Sequence, residues 1–231
     1  MAVTYLTLRM TTVCVSPDPI LRVQKREGRY KRELYMIRYI NMVLSDRDIK
    51  KYLKEGKIKI TPQPDLLKQL GSCSLDLTLG KTFRIYNPRS VAVIDPYDPT
   101  LIDRLTSMVE VKVGESFILH PGEFALGVTN ESLKLPDDIT ARLEGRSSIG
   151  RLGVIIHSTA ASIDAGYRGQ ITLELANMGR IPVKLYPGMR ICSIAFETLS
   201  SIAEIPYYKK KNAKYLNQKS PEPSKIGEER K

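Results

Sequence analysis

Residues 144–153 read EGRSSIGRLG, with Arg146 and Arg151 five positions apart around Ser147, Ser148 and Gly150. Two planar guanidinium forks and two hydroxyls are the donor set that grips a many-oxygened anion such as a phosphate chain. Gly145 and Gly150 let the backbone come close to whatever is held there. The same residues also suit a solvated turn whose arginines pair with surface carboxylates, and the segment alone does not separate the two.

A second dense stretch follows at once, HSTAASIDAGYRGQITLELAN, residues 157–177. Within ITLEL, Ile171 and Leu173 share one face of an alternating strand, and Thr172 and Glu174 share the other. A carboxylate there belongs either to the wet face of a half-exposed sheet, the commoner case for a strand glutamate, or to a site in a cleft. Asp164 stands just before Ala165-Gly166, where a glycine permits a tight bend between strands. His120 and His157 fit packed or hydrogen-bonded imidazoles better than catalysts.

The elements that must position these residues are mostly strands. SLDLTLGKTFRIY puts Leu75, Leu77 and Leu79 on one face, and VEVKV, FALGV, ITARLEG, GVIIHSTA, ITLELAN, VKLY and ICSIAFE follow with turn signals between them. HPGEFALGVT and YPGMRICSIAF echo each other: Pro then Gly suits the middle of a type II turn that feeds a strand. One short helix is expected at the start of this region, capped by Ser45 with Asp48 three residues on and striped by Ile49, Tyr52 and Leu53. Many short strands with one early helix predict an all-β sandwich or barrel.

At 231 residues the chain is long enough for one large β domain or two small ones. The net charge of +11 is uneven. Residues 1–41 hold 8 Lys/Arg against 3 Asp/Glu, residues 207–231 hold 8 against 3, and residues 42–206 hold 20 against 19. A nearly neutral body argues against nucleic-acid binding, as does the absence of Trp and of an aromatic cluster for stacking bases. No apolar run is long enough to span a membrane, and the N-terminus lacks a secretory signal pattern. Cys14, Cys73 and Cys192 are unclustered and form no CxxC, so neither a disulfide framework nor a structural zinc site is supported, and a cytoplasmic setting is expected. Residues 1–41 read as an extension outside the fold, residues 42–206 as the β domain, and the polar, proline-bearing residues 207–231 as a mobile tail.

GRSSIGRLG, then HSTA, IDAGYRGQITLEL and YPGM, together with the opening LSDRDI, FILHPGEFALGVT and the tail AKYLNQ, resemble the deoxycytidine triphosphate deaminases of the dUTPase superfamily. The resemblance runs from Met42 to about Ser220. It implies a distorted, jelly-roll-like β-barrel of the dUTPase type, assembled as a homotrimer with sites between subunits. It implies that Arg146, Ser147, Ser148, Ile149, Gly150 and Arg151 form the nucleotide- and phosphate-binding segment. Asp164 then holds the deoxyribose, Thr172 and Leu173 also bind the substrate, and Glu174 is the catalytic glutamate. Tyr207, Lys214 and Gln218 match tail residues that close over the triphosphate. dCTP is the implied substrate and dTTP an implied inhibitor.

Neither histidine has a glutamate two residues on, and no CxxC exists, so the zinc signature of the better-known nucleobase deaminases is absent. The expected chemistry rests on Glu174 as general base and proton carrier, with Ser147 positioning water and Arg151 placing positive charge near the intermediate. Magnesium is expected to arrive with the triphosphate, held by phosphate oxygens and water. Deamination to dUTP is carried forward. The alternatives are a bifunctional enzyme giving dUMP and diphosphate, a plain dUTPase, and a non-catalytic nucleotide sensor. Against the dUTPase stand Gly166, where a second acid is usual, and a tail without the glycine-rich, phenylalanine-bearing motif. The intact set of Ser147, Arg151 and Glu174 speaks against the sensor. Thr159-Ala160-Ala161-Ser162 matches neither the one-step nor the two-step pattern. Cys192-Ser193 stands where relatives frequently have Gly-Gln.

Overall fold

The computed structural model describes residues 21–26, 29–34, 42–87, 93–98, 105–112, 114–157, 159 and 161–229. Met1–Tyr39 and Ile40–Lys231 are separate compact units. In the first, β1 (Leu21–Arg26) and β2 (Arg29–Leu34) pair antiparallel from Leu21 opposite Leu34 to Arg26 opposite Arg29. The rest of the 1–41 extension lies outside the described residues.

The second unit begins where the sequence changes character. The Leu44 amide donates to the Phe196 carbonyl at 2.8 Å, and the Thr198 amide donates to the Met42 carbonyl at 3.1 Å. The chain is therefore tied to the body from Met42 onward. A protein starting at Met42 is expected to keep these bonds, and with them the melting temperature and activity of the full chain. A large loss of either, by calorimetry or turnover, would show that the first 41 residues support the body.

Helix α1 (Asp46–Lys54) has the expected cap: the Ser45 hydroxyl accepts from the Asp48 amide at 3.4 Å and donates to the Asp48 carboxylate at 3.0 Å. Asp46 and Asp48 at its start and Lys51 and Lys54 at its end complement the helix dipole, and Ile49 is buried. Beyond this one anticipated helix, the α-helical turns among the described residues include α2 (Leu66–Gln69) and α3 (Ser147–Gly150). Each is only four residues long, too short for the periodicity that reveals a helix in sequence.

The strands are β3 (Lys59–Thr61), β4 (Leu75–Thr78), β5 (Thr82–Tyr86), β6 (Thr106–Glu110), β7 (Phe117–Leu119), β8 (Phe124–Lys134) and β9 (Ile139–Gly145). After α3 come β10 (Val154–Ile155), β11 (Ser162–Ile163), β12 (Arg168–Asn177), β13 (Val183–Leu185) and β14 (Arg190–Thr198). VEVKV starts its pairing earlier than its alternation suggests, and among the described residues of GVIIHSTA the paired strand is Val154–Ile155.

One sheet runs β10-β12-β8-β5-β6, with β3 also on β8, and the other runs β11-β9-β14-β4; β7 and β13 form a small ribbon. Phe83, Leu173 and Leu175 from the first sheet and Leu143, Ile194 and Phe196 from the second belong to one buried cluster, joined by Leu75, Leu77 and Leu79. This is the all-β sandwich the strand pattern predicts, in the jelly-roll-like form the resemblance implies. Both Pro-Gly turns are present: the Glu123 amide donates to the His120 carbonyl and the Met189 amide to the Tyr186 carbonyl, each at 3.1 Å, with φ of +75° at Gly122 and +82° at Gly188.

Candidate active site

Strand β12 carries the alternation read from ITLEL: Ile171, Leu173 and Leu175 are buried, while Thr172 and Glu174 lie half-buried on the opposite face. That face looks into a cavity of about 500 Å³. Glu174, Thr172, Asp164, Tyr207 and Gln218 all line it. Five residues that the resemblance groups from distant points in the chain are thus brought together, and the volume is that of a small-molecule pocket. Glu174 is a cavity residue, not a glutamate on an open sheet.

Cross-strand register explains the surroundings of the carboxylate. Leu126 on β8 stands opposite both Arg84 on β5 and Glu174 on β12, so these three share one sheet face. Arg84 is held by the Thr106 hydroxyl at 2.8 Å and the Pro221 carbonyl at 3.0 Å. Tyr86 and Phe124, with ring centroids 5.4 Å apart, form an aromatic wall. Burial pushes the Tyr86 phenol above its ordinary range, and the nearby Glu174 charge adds to the rise. Burial also holds the Tyr167 phenol well above that range, and its hydroxyl donates to the Gln170 carbonyl at 2.5 Å. Both remain protonated hydrogen-bond donors at neutral pH.

The sequence reading passed over Tyr86, Tyr215 and Glu222 as cavity residues and read His157 as a core imidazole. His157 lines the cavity, and among the described residues neither of its buried ring nitrogens has a hydrogen-bond partner. A buried imidazole without partners is costly, and a bound polar ligand would relieve it. For Tyr86 the only local clue was its place at the end of an alternating strand.

The tail forms part of the wall. β10 pairs with β12 only at Ala176 and Asn177, and the edge near Gly169 is taken by residues 217–218 instead. The Asn217 amide donates to the Arg168 carbonyl at 2.8 Å and the Gln170 amide to the Gln218 carbonyl at 2.9 Å. The buried Gln218 side chain donates to the Thr172 hydroxyl at 2.5 Å, on the face that carries Glu174. On the β8 side, β12 has a bulge between Gln170 and Thr172, where the Ile171 amide turns to the Thr129 hydroxyl at 2.9 Å.

Two glycines make room for this docking. Gly166 has φ +79°, and a Cβ there would lie 2.7 Å from the Pro206 Cβ and 2.9 Å from the Tyr208 ring. Gly169 has φ +134°, and a Cβ there would lie 2.7 Å from the Gln218 amide nitrogen. Tyr207 packs on Tyr167 with centroids 5.6 Å apart, and its amide donates to the Ala165 carbonyl at 2.8 Å. Asp164, the expected sugar ligand, is exposed and ion-paired with Lys210 at 2.5 Å. Lys214 does not line the cavity and pairs with Glu229.

The segment expected to grip phosphate is elsewhere. α3 continues from β9 in the second sheet, and none of Arg146, Ser147, Ser148, Gly150 and Arg151 lines the cavity. Ser147, Ser148, Gly150 and Arg151 are exposed, and Ile149 is buried as the anchor of the turn. The Arg151 Nε donates to the Ser147 hydroxyl at 3.3 Å, so these two side chains share one face one turn apart. Arg146 pairs with Asp76 at 3.0 Å. One chain thus presents two separate features, a carboxylate-bearing cavity and an arginine–serine turn outside it.

The fold is thus a two-sheet β-sandwich with a tail-walled cavity of ligand size and a separate arginine–serine turn. The family described as dCTP deaminase-like matches residues 43–199, and the chain belongs to it. It is 55% identical over 185 residues to a protein of Dictyoglomus thermophilum named dCTP deaminase, dUMP-forming, spanning 80% of this chain and 95% of that one. It is 53% identical over 188 residues to the dCTP deaminase of Thermomicrobium roseum, spanning 81% of this chain and 95% of the relative. The crystal structure of 2'-deoxycytidine 5'-triphosphate deaminase from Agrobacterium tumefaciens superposes with a TM-score of 0.55 at 26% identity, covering 68% of this chain and 49% of that one. No helix among the described residues is long and apolar enough to cross a membrane.

Proposed function

We propose that this chain deaminates dCTP hydrolytically, giving dUTP and ammonia. The observation that carries the reading is Glu174, set in a ligand-sized cavity beside Thr172, Gln218 and Asp164 in a chain of the dCTP deaminase-like family. A carboxylate so placed takes a proton from water as the water oxygen attacks C4 of the cytosine ring. It passes that proton to N3, then takes the second from the new C4 hydroxyl and gives it to the exocyclic amine, which leaves as ammonia as the C4 carbonyl forms.

Ser147 and Arg151 serve the same reaction, holding the water and stabilising the charge that develops at the ring. Because they lie outside the cavity of their own chain, the proposal includes a homotrimer. In it α3 of one protomer faces the cavity of the next, so that Arg146, Ser147, Ser148 and Arg151 meet Glu174 across a subunit boundary. The triphosphate carries its magnesium as part of the substrate. dTTP, with the same sugar and triphosphate, competes for the site. The cytoplasm is the proposed compartment, with no membrane or nucleic-acid partner.

A second reading, direct formation of dUMP and diphosphate from dCTP, is favoured by the 55%-identical relative, which is named as dUMP-forming. Chromatography of products after incubation with dCTP and magnesium separates the two. dUTP and ammonia support the first, dUMP and diphosphate without free dUTP support the second, and unchanged dCTP overturns both.

A further inference from the structure

We infer that Asp76 is a positioning residue for the triphosphate grip and acts through Arg146. The inference rests on the proposed reading of Arg146 as a triphosphate ligand. A four-residue turn such as α3 has no helical stability of its own, so its place must be set by what holds its ends. Arg146, the residue before the turn, makes no capping bond with its side chain. Its guanidinium instead reaches across the second sheet. Nε meets the Asp76 carboxylate on β4 at 3.0 Å, and NH1 donates to the Arg190 carbonyl on β14 at 3.0 Å. These contacts use Nε and NH1, leaving NH2 for an anion.

Asp76 is held as firmly as it holds. Its carboxylate also takes Arg190 at 3.3 Å, and Arg190 donates to the Lys68 carbonyl at 2.5 Å. The side chains of Asp76 and Arg146 are 17% and 23% exposed, so solvent screens this pair less than an open surface pair. Behind Asp76, Gln69 donates to its carbonyl at 2.9 Å and to the Glu131 carboxylate at 3.1 Å. Glu131, 2% exposed, also accepts from the Thr78 amide and hydroxyl, each at 2.8 Å. Glu131, Gln69 and the β4 backbone thus form a buried frame on which Asp76 fixes the direction of Arg146. A planar fork gains strength and selectivity only when its angle to the phosphate is set beforehand.

The test measures binding by calorimetry for dCTP and dCMP, so it does not depend on whether the chain deaminates. Asp76→Asn removes the charge that orients Arg146 and keeps the side chain's size. Small misplacements of a positioning clamp cost up to about a hundredfold, and a loss of about tenfold or more in dCTP affinity is expected, with dCMP affinity changed by less than about twofold. A purely structural pair would weaken both nucleotides together, or neither, and that result overturns the inference. Should Asp76→Asn not fold, Asp76→Glu keeps the charge on a longer arm. A smaller loss confined to dCTP supports the inference, and unchanged preference overturns it. Arg146→Lys separates the layers. If it loses the dCTP preference while the Asp76 variants keep it, Asp76 has no positioning role. If it keeps the preference, the reading of Arg146 fails and the inference falls with it.

Discussion

Glu174→Gln is expected to bind dCTP within about tenfold of the parent, roughly 1.4 kcal/mol, and to show no measurable deamination. The amide keeps the size and hydrogen-bonding reach of the carboxylate on β12, so contacts in the cavity survive. It cannot accept the proton of the attacking water. General acid–base catalysis contributes about 10²–10⁴-fold, and a group that handles every proton in the reaction belongs at or beyond the upper end. An exposed strand glutamate would instead change turnover little, since such surface substitutions stay within about 0.5 kcal/mol. Deamination within tenfold of the parent would remove Glu174 from the mechanism. Loss of binding together with turnover would make it a substrate anchor or a structural residue.

Deleting residues 207–231 is expected to leave the sandwich folded and to lower kcat/KM for dCTP by at least about tenfold, or about 1.4 kcal/mol of transition-state stabilisation. The tail contributes none of the apolar side chains at the centre of the core, but it supplies Tyr207, Tyr215, Gln218 and Glu222 to the cavity wall. It also supplies the backbone partners of Arg168 and Gln170 on the edge of β12. Without it the wall opens, the Thr172 hydroxyl loses Gln218, and water enters beside Glu174. Gly169→Ala tests the same docking with the tail present. Its Cβ would meet the Gln218 backbone at 2.7 Å, so it is expected to lower kcat/KM in the same direction, with a modest fall in melting temperature. Kinetics unchanged by the truncation would show that the tail plays no part in catalysis.

Local rules made a good deal of this protein legible in its sequence. Alternation placed Leu75, Leu77 and Leu79 in the core and set Thr172 and Glu174 on the opposite face of β12 from Ile171 and Leu173, because strand side chains alternate whatever the strand pairs with. The cap of α1 and the two Pro-Gly turns were readable for a similar reason: each is decided within four residues. The family motifs marked the positions proposed for the chemistry. What they could not say is which of those positions one chain brings together.

Tertiary structure alone decided that. Glu174 and Gln218 meet through Thr172 because the free edge of β12 accepts the tail, a contact spanning 46 residues that no spacing announces. Arg146 turns to Asp76 across the second sheet, whereas its own segment offered no nearer hint than a cluster of donors. Tyr86 and His157 entered the cavity through strand register and loop path, which a residue's own neighbours do not encode. The arginine–serine turn follows a strand of one sheet of the sandwich, and Glu174 sits on a strand of the other. Periodicity tells which way a side chain points from its strand, but only the packing of strands distant in sequence determines what it points at.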